Sequence, residues 1–137
     1  YNEHYSSKSN PYNGINELLS ELKAKEISMA VASNKPDEFS KVIVSLFFGD
    51  TFTFVQGNTT QIPKKPDPQI VFSILEKLNV KKSECLFVGD SDVDIKTAKA
   101  AGIKSIGCLW GFRDLEELTA AKADHIVSEP MEILKYI

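Results

Sequence analysis

Hydrophobic positions along the chain switch repeatedly between a helical and a strand-like rhythm. Ile15, Leu18, Leu19 and Leu22 fall at i, i+3, i+4 and i+7, one face of a helix, with Pro11 and Gly14 just ahead as boundary residues. Ile27 to Ser33 is a short apolar run that reads as a buried strand, and Pro36-Asp37 then opens a helix carrying Phe39, Val42, Ile43 and Leu46. Thr51 to Val55, β-branched and aromatic, predicts a strand, and residues 57–68 form a Gly-, polar- and Pro-rich loop. Ile70, Val71, Ile74, Leu75 and Leu78 mark the next helical face; Leu86 to Val88 predicts a strand, and residues 93–101 an Ala- and Lys-rich helix that Gly102 stops. A strand over Lys104 to Leu109, a short helix around Leu115 and Leu118, a strand at His125 to Val127 and a helix from Pro130 to Tyr136 complete the series.

Strands that alternate with helices pair in parallel, because each crossover returns the chain to the same edge direction. The expected fold is therefore α/β: a three-layer, Rossmann-like parallel sheet with helices on both faces. Ligands of such sheets bind at the carboxyl ends of the strands, which locates the chemistry before any motif is considered.

Composition narrows the field. The chain has 137 residues, 42% hydrophobic and 26% charged, with a net charge of −3, an ordinary balance for one compact domain. A basic footprint for nucleic acid or an anionic membrane is absent. No apolar run approaches the roughly 20 residues of a membrane helix. Cys85 and Cys108 form no C-x-x-C pair and no zinc-like cluster with His4 or His125; both read as buried, reduced thiols, in keeping with a reducing cytoplasm.

Three segments at expected strand ends carry candidate chemistry. Gly89-Asp90-Ser91-Asp92-Val93-Asp94 follows the apolar Leu86-Phe87-Val88 directly. Clustered carboxylates repel one another unless a cation or proton intervenes, and Mg²⁺ suits one or two carboxylates with waters and phosphate oxygens completing its shell. A calcium loop would need Gly and Glu where this chain has Ile95 and Ala101, so that match fails. The plainer reading is a turn with a helix cap, which accounts for one Asp better than for three. Ser33-Asn34-Lys35 offers a hydroxyl and turning backbone N–H groups that can hold a phosphoryl oxygen, although Ser-Asn before Pro is also ordinary turn chemistry. Lys64-Lys65-Pro66-Asp67-Pro68 sets a lysine in a proline-stiffened loop, placed to offset phosphoryl charge or simply solvated.

In order and context the three segments resemble motifs two, three and four of the haloacid dehalogenase superfamily. The resemblance extends to phosphoglycolate phosphatases through Pro11-Tyr12-Asn13-Gly14, Val31 to Pro36, Asp94-Ile95 with Ala98, Ala100, Ala101 and Gly102, Trp110-Gly111-Phe112-Arg113, and Ala123 to Ile126. It covers nearly all of residues 11–137. What it implies is Mg²⁺-dependent hydrolysis of a small phosphorylated metabolite through an aspartyl-phosphate. Ser33 and Asn34 would bind substrate, Lys65 would stabilise charge, and Asp90 and Asp94 would form the metal site. Trp110 and Arg113 follow a strand end near the substrate, with a packed aromatic and a solvated arginine as the plainer reading; His125 reads as structural.

Family members begin with D-x-D-G-T, which supplies the nucleophile, followed by a helical cap. Neither occurs here, except that residues 1–10 resemble a cap's tail ahead of a core at 11–137. The resemblance puts that first strand between the strands ending at Ser33 and Gly89. The expectation is an N-terminal segment of the same protein that carries it, and an isolated 137-residue piece without phosphatase activity. Rivals are a related sugar-phosphate mutase, a pyrophosphate or nucleotide hydrolase, a dehalogenase (disfavoured by the Asp90 and Asp94 pair) and a non-catalytic phosphate- or metal-binding module.

Overall fold

The computed structural model describes residues 14–110 and 115–137. Helices α1 (Ile15–Ala24), α2 (Asp37–Phe48), α3 (Gln69–Leu78), α4 (Asp92–Ala101) and α5 (Leu115–Ala120) alternate with strands β1 (Ala30–Pro36), β2 (Phe54–Asn58), β3 (Leu86–Gly89), β4 (Lys104–Cys108) and β5 (His125–Val127). Short 3₁₀ turns occupy Lys82–Glu84 and Pro130–Tyr136. All strand pairs are parallel. Among the described residues they form two ladders, β1-β2 and β3-β4-β5, and β1 does not pair with β3.

Helices cover both faces and bridge the two ladders. On one face α1 sends Leu18 and Leu22 into a cluster with Met29, Ile106, Cys108, Val127 and Ile133, while Val44 and Phe48 of α2 pack on Val31. On the other, Ile70, Val71 and Leu75 of α3 meet Ala98 and Ala101 of α4 over Ala32 and Phe87. Successive strand residues thus serve opposite layers, as the pleat requires: Val31 one, Ala32 the other, and likewise Leu86 and Phe87. Val88 departs from this, since it is 43% exposed although it lies within a strand.

Local chemistry sets the ends. Gly102, at φ 78°, closes α4 in the left-handed conformation that a side chain disfavours. Asn79 ends α3 the same way at φ 55°. Asp124 accepts the Ser105 N–H at 2.8 Å while its own N–H donates to Ser105 Oγ at 3.1 Å, so the start of β4 and the approach to β5 clasp each other.

Two expectations need correction. Pairing starts at Ala30 and Phe54, about three residues later than the apolar runs suggest, because the turn through Lys25 and Glu26 (φ 60°) delays the first strand and Thr53 N–H donates to Met29 O just ahead of the ladder. In α2 the buried stripe is Ser40, Val44 and Phe48, whereas Phe39, Val42 and Leu46 are 45%, 62% and 74% exposed. That helix is apolar on more than one side, so packing against β1 and β2, rather than hydropathy, selects the buried stripe.

Candidate active site

The strand ends that carry Ser33 and Gly89 meet through one lysine. Lys65 is 8% exposed, and its Nζ lies 2.6 Å from Asp94 Oδ1, with a second hydrogen bond of 3.3 Å to the Ala32 carbonyl. The ammonium also lies 5.8 Å from the Phe87 ring centroid. Its backbone is held by Asn34: Lys65 N–H donates to Oδ1 at 2.8 Å, and Nδ2 donates to the Lys65 carbonyl at 3.4 Å. The amide of Asn34, expected at the substrate, therefore spends both its polar ends on the Lys65 loop.

Asp94 is the hub of the turn after β3. Its Oδ2 accepts from the Asp90 N–H at 3.1 Å, the Ser91 N–H at 3.3 Å and Ser91 Oγ at 3.2 Å. Ser91 caps α4 by accepting the Asp94 N–H, so Asp94 completes a capping box at the third helical position. Burial alone would push the Asp94 carboxyl up; the Lys65 ammonium and these hydrogen bonds outweigh it and hold the group below the usual carboxylate range. Gly89 makes this approach possible, since a Cβ there would overlap the Asp94 side chain. Asp90 differs: burial, then the neighbouring charge of Asp94, push its carboxyl up. Asp92 belongs to the surface, paired with Lys96 at 3.1 Å.

Ser33 is buried and lies where the β1-β2 register slips: between the pairs Ala32–Gln56 and Pro36–Asn58, three residues of β1 face one of β2, Gly57. The slip takes Ser33, Asn34 and Lys35 out of the ladder and re-aims them, as bulges do. Ser33 Oγ accepts the Lys35 N–H at 3.1 Å and lies 2.9 Å from Ser40 Oγ. It joins the lysine through its neighbours Ala32 and Asn34. At the far side Gly57 N–H donates to Asp37 Oδ1 at 2.8 Å, tying the end of β2 to the start of α2.

Sequence reasoning therefore named the side chains at these strand ends, and the structure joins Asn34, Lys65 and Asp94 in one bonded chain, which Asp90 enters through its backbone N–H. It missed Ser40 and Ser91. Serine three residues before Asp94 is a capping-box signal, though Asp there is less usual than Glu; Ser40 sits among apolar residues of α2 and carries no such signal. Trp110 packs partly buried against the α1 cluster, and His125 stacks on Tyr136 at 4.0 Å, both structural placements. Arg113 and residues 1–13 lie outside the described residues. Neither cysteine is bridged; burial, then Asp90 and Asp94, push the Cys108 thiol far up.

Among the described residues no three His, Cys, Asp or Glu side chains gather into a metal cage. Mg²⁺ needs none, because it takes one or two carboxylates and retains waters. Asp90 fits it: a hard oxygen donor whose ionised form is disfavoured by burial and by Asp94, a penalty a divalent cation would relieve. No described helix is long and apolar enough to cross a membrane.

Comparison with known proteins gives a consistent picture. The model of the haloacid dehalogenase-like hydrolase family matches residues 1–108. Phosphoglycolate phosphatase of Pectobacterium atrosepticum is 36% identical over 124 residues, covering 90% of this chain and 53% of that protein. That of Aquifex aeolicus is 36% identical over 126 residues, covering 91% and 58%. A solved structure from Lactobacillus delbrueckii, described as a candidate phosphoglycolate phosphatase, superposes with a TM-score of 0.90 at 34% identity, over 93% of this chain and 54% of that one. A candidate beta-phosphoglucomutase from Thermotoga maritima gives 0.79 at 29% identity, over 91% and 58%. The chain spans just over half the length of these proteins.

Proposed function

The chain belongs to the haloacid dehalogenase-like hydrolases, and on that premise we propose that the polypeptide containing it is a Mg²⁺-dependent phosphatase of small phosphomonoesters, with 2-phosphoglycolate the first substrate to test. The observation that carries the reading is the buried Lys65–Asp94 pair, 2.6 Å apart, which fixes an ammonium between the end of β1 and the carboxylate that holds the Asp90 turn. Solvated surface lysines are not held this way, and a preorganised cation in a water-poor site is what phosphoryl transfer uses.

In this reading Ser33 and Lys65 hold phosphoryl oxygens and Asp90 holds the metal. Asp94 keeps Lys65 aimed and the 89–91 turn closed; its hydrogen bonds favour that office over direct metal ligation, with any metal contact running through water. Asn34 fixes the Lys65 loop. Mg²⁺, when bound, supplies neutralisation of phosphoryl charge. The nucleophile is an aspartate on a strand from an N-terminal segment, which forms and then releases an aspartyl-phosphate, dividing one difficult step into two. Separate β1 and β3 ladders, helices bridging them, and the exposed Val88 favour a strand seated between them. Residues 1–137 alone are accordingly expected to be inactive.

The test is a panel of phosphomonoesters assayed with the full-length polypeptide, with and without Mg²⁺. Turnover of 2-phosphoglycolate that Asp90→Asn abolishes supports the reading. Isomerisation of a sugar phosphate instead would assign the mutase reaction, and phosphate binding without turnover would assign a binding module.

A further inference from the structure

Ser40 is a buried hydroxyl on α2, 3% exposed, that neither the motifs nor the family resemblance singles out. Its Oγ lies 2.9 Å from Ser33 Oγ, 3.0 Å from the Pro36 carbonyl and 3.2 Å from the Lys35 carbonyl. A hydroxyl has one proton and two lone pairs. Ser40 therefore serves one of these acceptors at a time, and the carbonyls can only accept.

Two arrangements satisfy the group. In one, Ser40 donates to the Pro36 carbonyl and Ser33 donates to Ser40, so that Ser33 turns a lone pair toward the site. In the other, Ser40 donates to Ser33. Ser33 then accepts two hydrogen bonds, from Ser40 Oγ and from the Lys35 N–H at 3.1 Å, and its own proton is left to point outward. Only the second arrangement offers a donor to an oxyanion, and it is strengthened in turn, because donors in series polarise one another.

We infer that Ser40 is a positioning residue that acts through Ser33: by donating to Ser33 Oγ it commits the Ser33 proton to an oxyanion ligand, a phosphoryl oxygen or inorganic phosphate. The inference rests on the proposed phosphatase reading, in which Ser33 faces that ligand.

The experiment uses the full-length polypeptide, with inorganic phosphate as a competitive inhibitor and 2-phosphoglycolate as substrate. Ser40→Val and Ser40→Thr have the same shape and differ in the hydroxyl, so any packing disturbance is common to both. Ser40→Val should weaken phosphate inhibition about two- to tenfold relative to Ser40→Thr, the span of one neutral hydrogen bond. In a Ser33→Ala background the same two variants should be indistinguishable. An equal difference between them in both backgrounds, or none in either, overturns the inference while leaving the phosphatase reading intact. A wild-type protein that neither hydrolyses phosphomonoesters nor binds phosphate removes both.

Discussion

Asp94→Asn is the sharpest perturbation the structure offers, since it keeps the shape of the side chain and deletes its charge. Asp94 accepts four hydrogen bonds, from Lys65 Nζ on one oxygen and from Asp90 N, Ser91 N and Ser91 Oγ on the other. An amide has one acceptor end. If its oxygen faces Lys65, its NH₂ opposes the two backbone N–H groups; if it flips, the NH₂ opposes the ammonium. Either way a buried cation loses its counter-charge, at a cost of about 3–5 kcal/mol. Urea denaturation of the full-length polypeptide, compared at constant m, reads this directly. The control is Lys41→Ala, which breaks the exposed pair with Asp37 and should cost no more than about 0.5 kcal/mol. Lys65→Met combined with Asp94→Asn should recover part of the stability, because it removes the unpaired buried charge while an amide oxygen can still face the turn, yet remain inactive. Should Asp94→Asn cost as little as the surface control, the pair does not hold the strand ends together and the reasoning fails.

Other outcomes follow from the same geometry. Lys65→Ala should lower kcat by about 10²-fold or more, the scale of losing one charge-stabilising group; wild-type kinetics would remove Lys65 from the site. Because the Asp94 carboxyl is held below its usual range, its contribution is present above the unfolded value near pH 4 and is lost as pH falls through the lower folded value; an acid titration of stability in which Asp94→Asn retains the wild-type slope would contradict this. Asp90 is shifted the other way, so its ionised form costs stability at neutral pH, and Asp90→Asn should raise the metal-free melting temperature while abolishing stabilisation by added Mg²⁺; undiminished Mg²⁺ protection would exclude the metal role. On α2, Phe48→Ala should cost about 3–5 kcal/mol and Leu46→Ala within about 0.5 kcal/mol; equal losses in chemical denaturation would mean that the buried stripe is misassigned.

Much of the architecture was legible because strands and helices bury different periodicities. The faces of α1 and α3, the Gly102 stop and β5 were all readable from spacing. Phe39, Val42 and Leu46 misled because α2 carries apolar residues round more than half its surface, and only its neighbours decide which of them lose water. The site was half legible for a related reason. Ser33, Lys65 and Asp90 stand out against their local context, but the bond from Lys65 to Asp94 spans 29 residues, and Asn34 reaches the same lysine across 31. Such partners are fixed by the fold, and no local pattern announces them. Asp94 looked like one member of a carboxylate cluster, whereas its donors make it a keystone of the turn.

The division into two ladders has a mechanical corollary. Ala32 and Asn34 belong to one half, Asp94 to the other, and Lys65 is fastened to all three. The side chain proposed to meet an anion is thereby also the rivet across the seam. Whatever draws its ammonium outward slackens the joint between the halves, so an anion held at the strand ends is traded against the stiffness of the whole body.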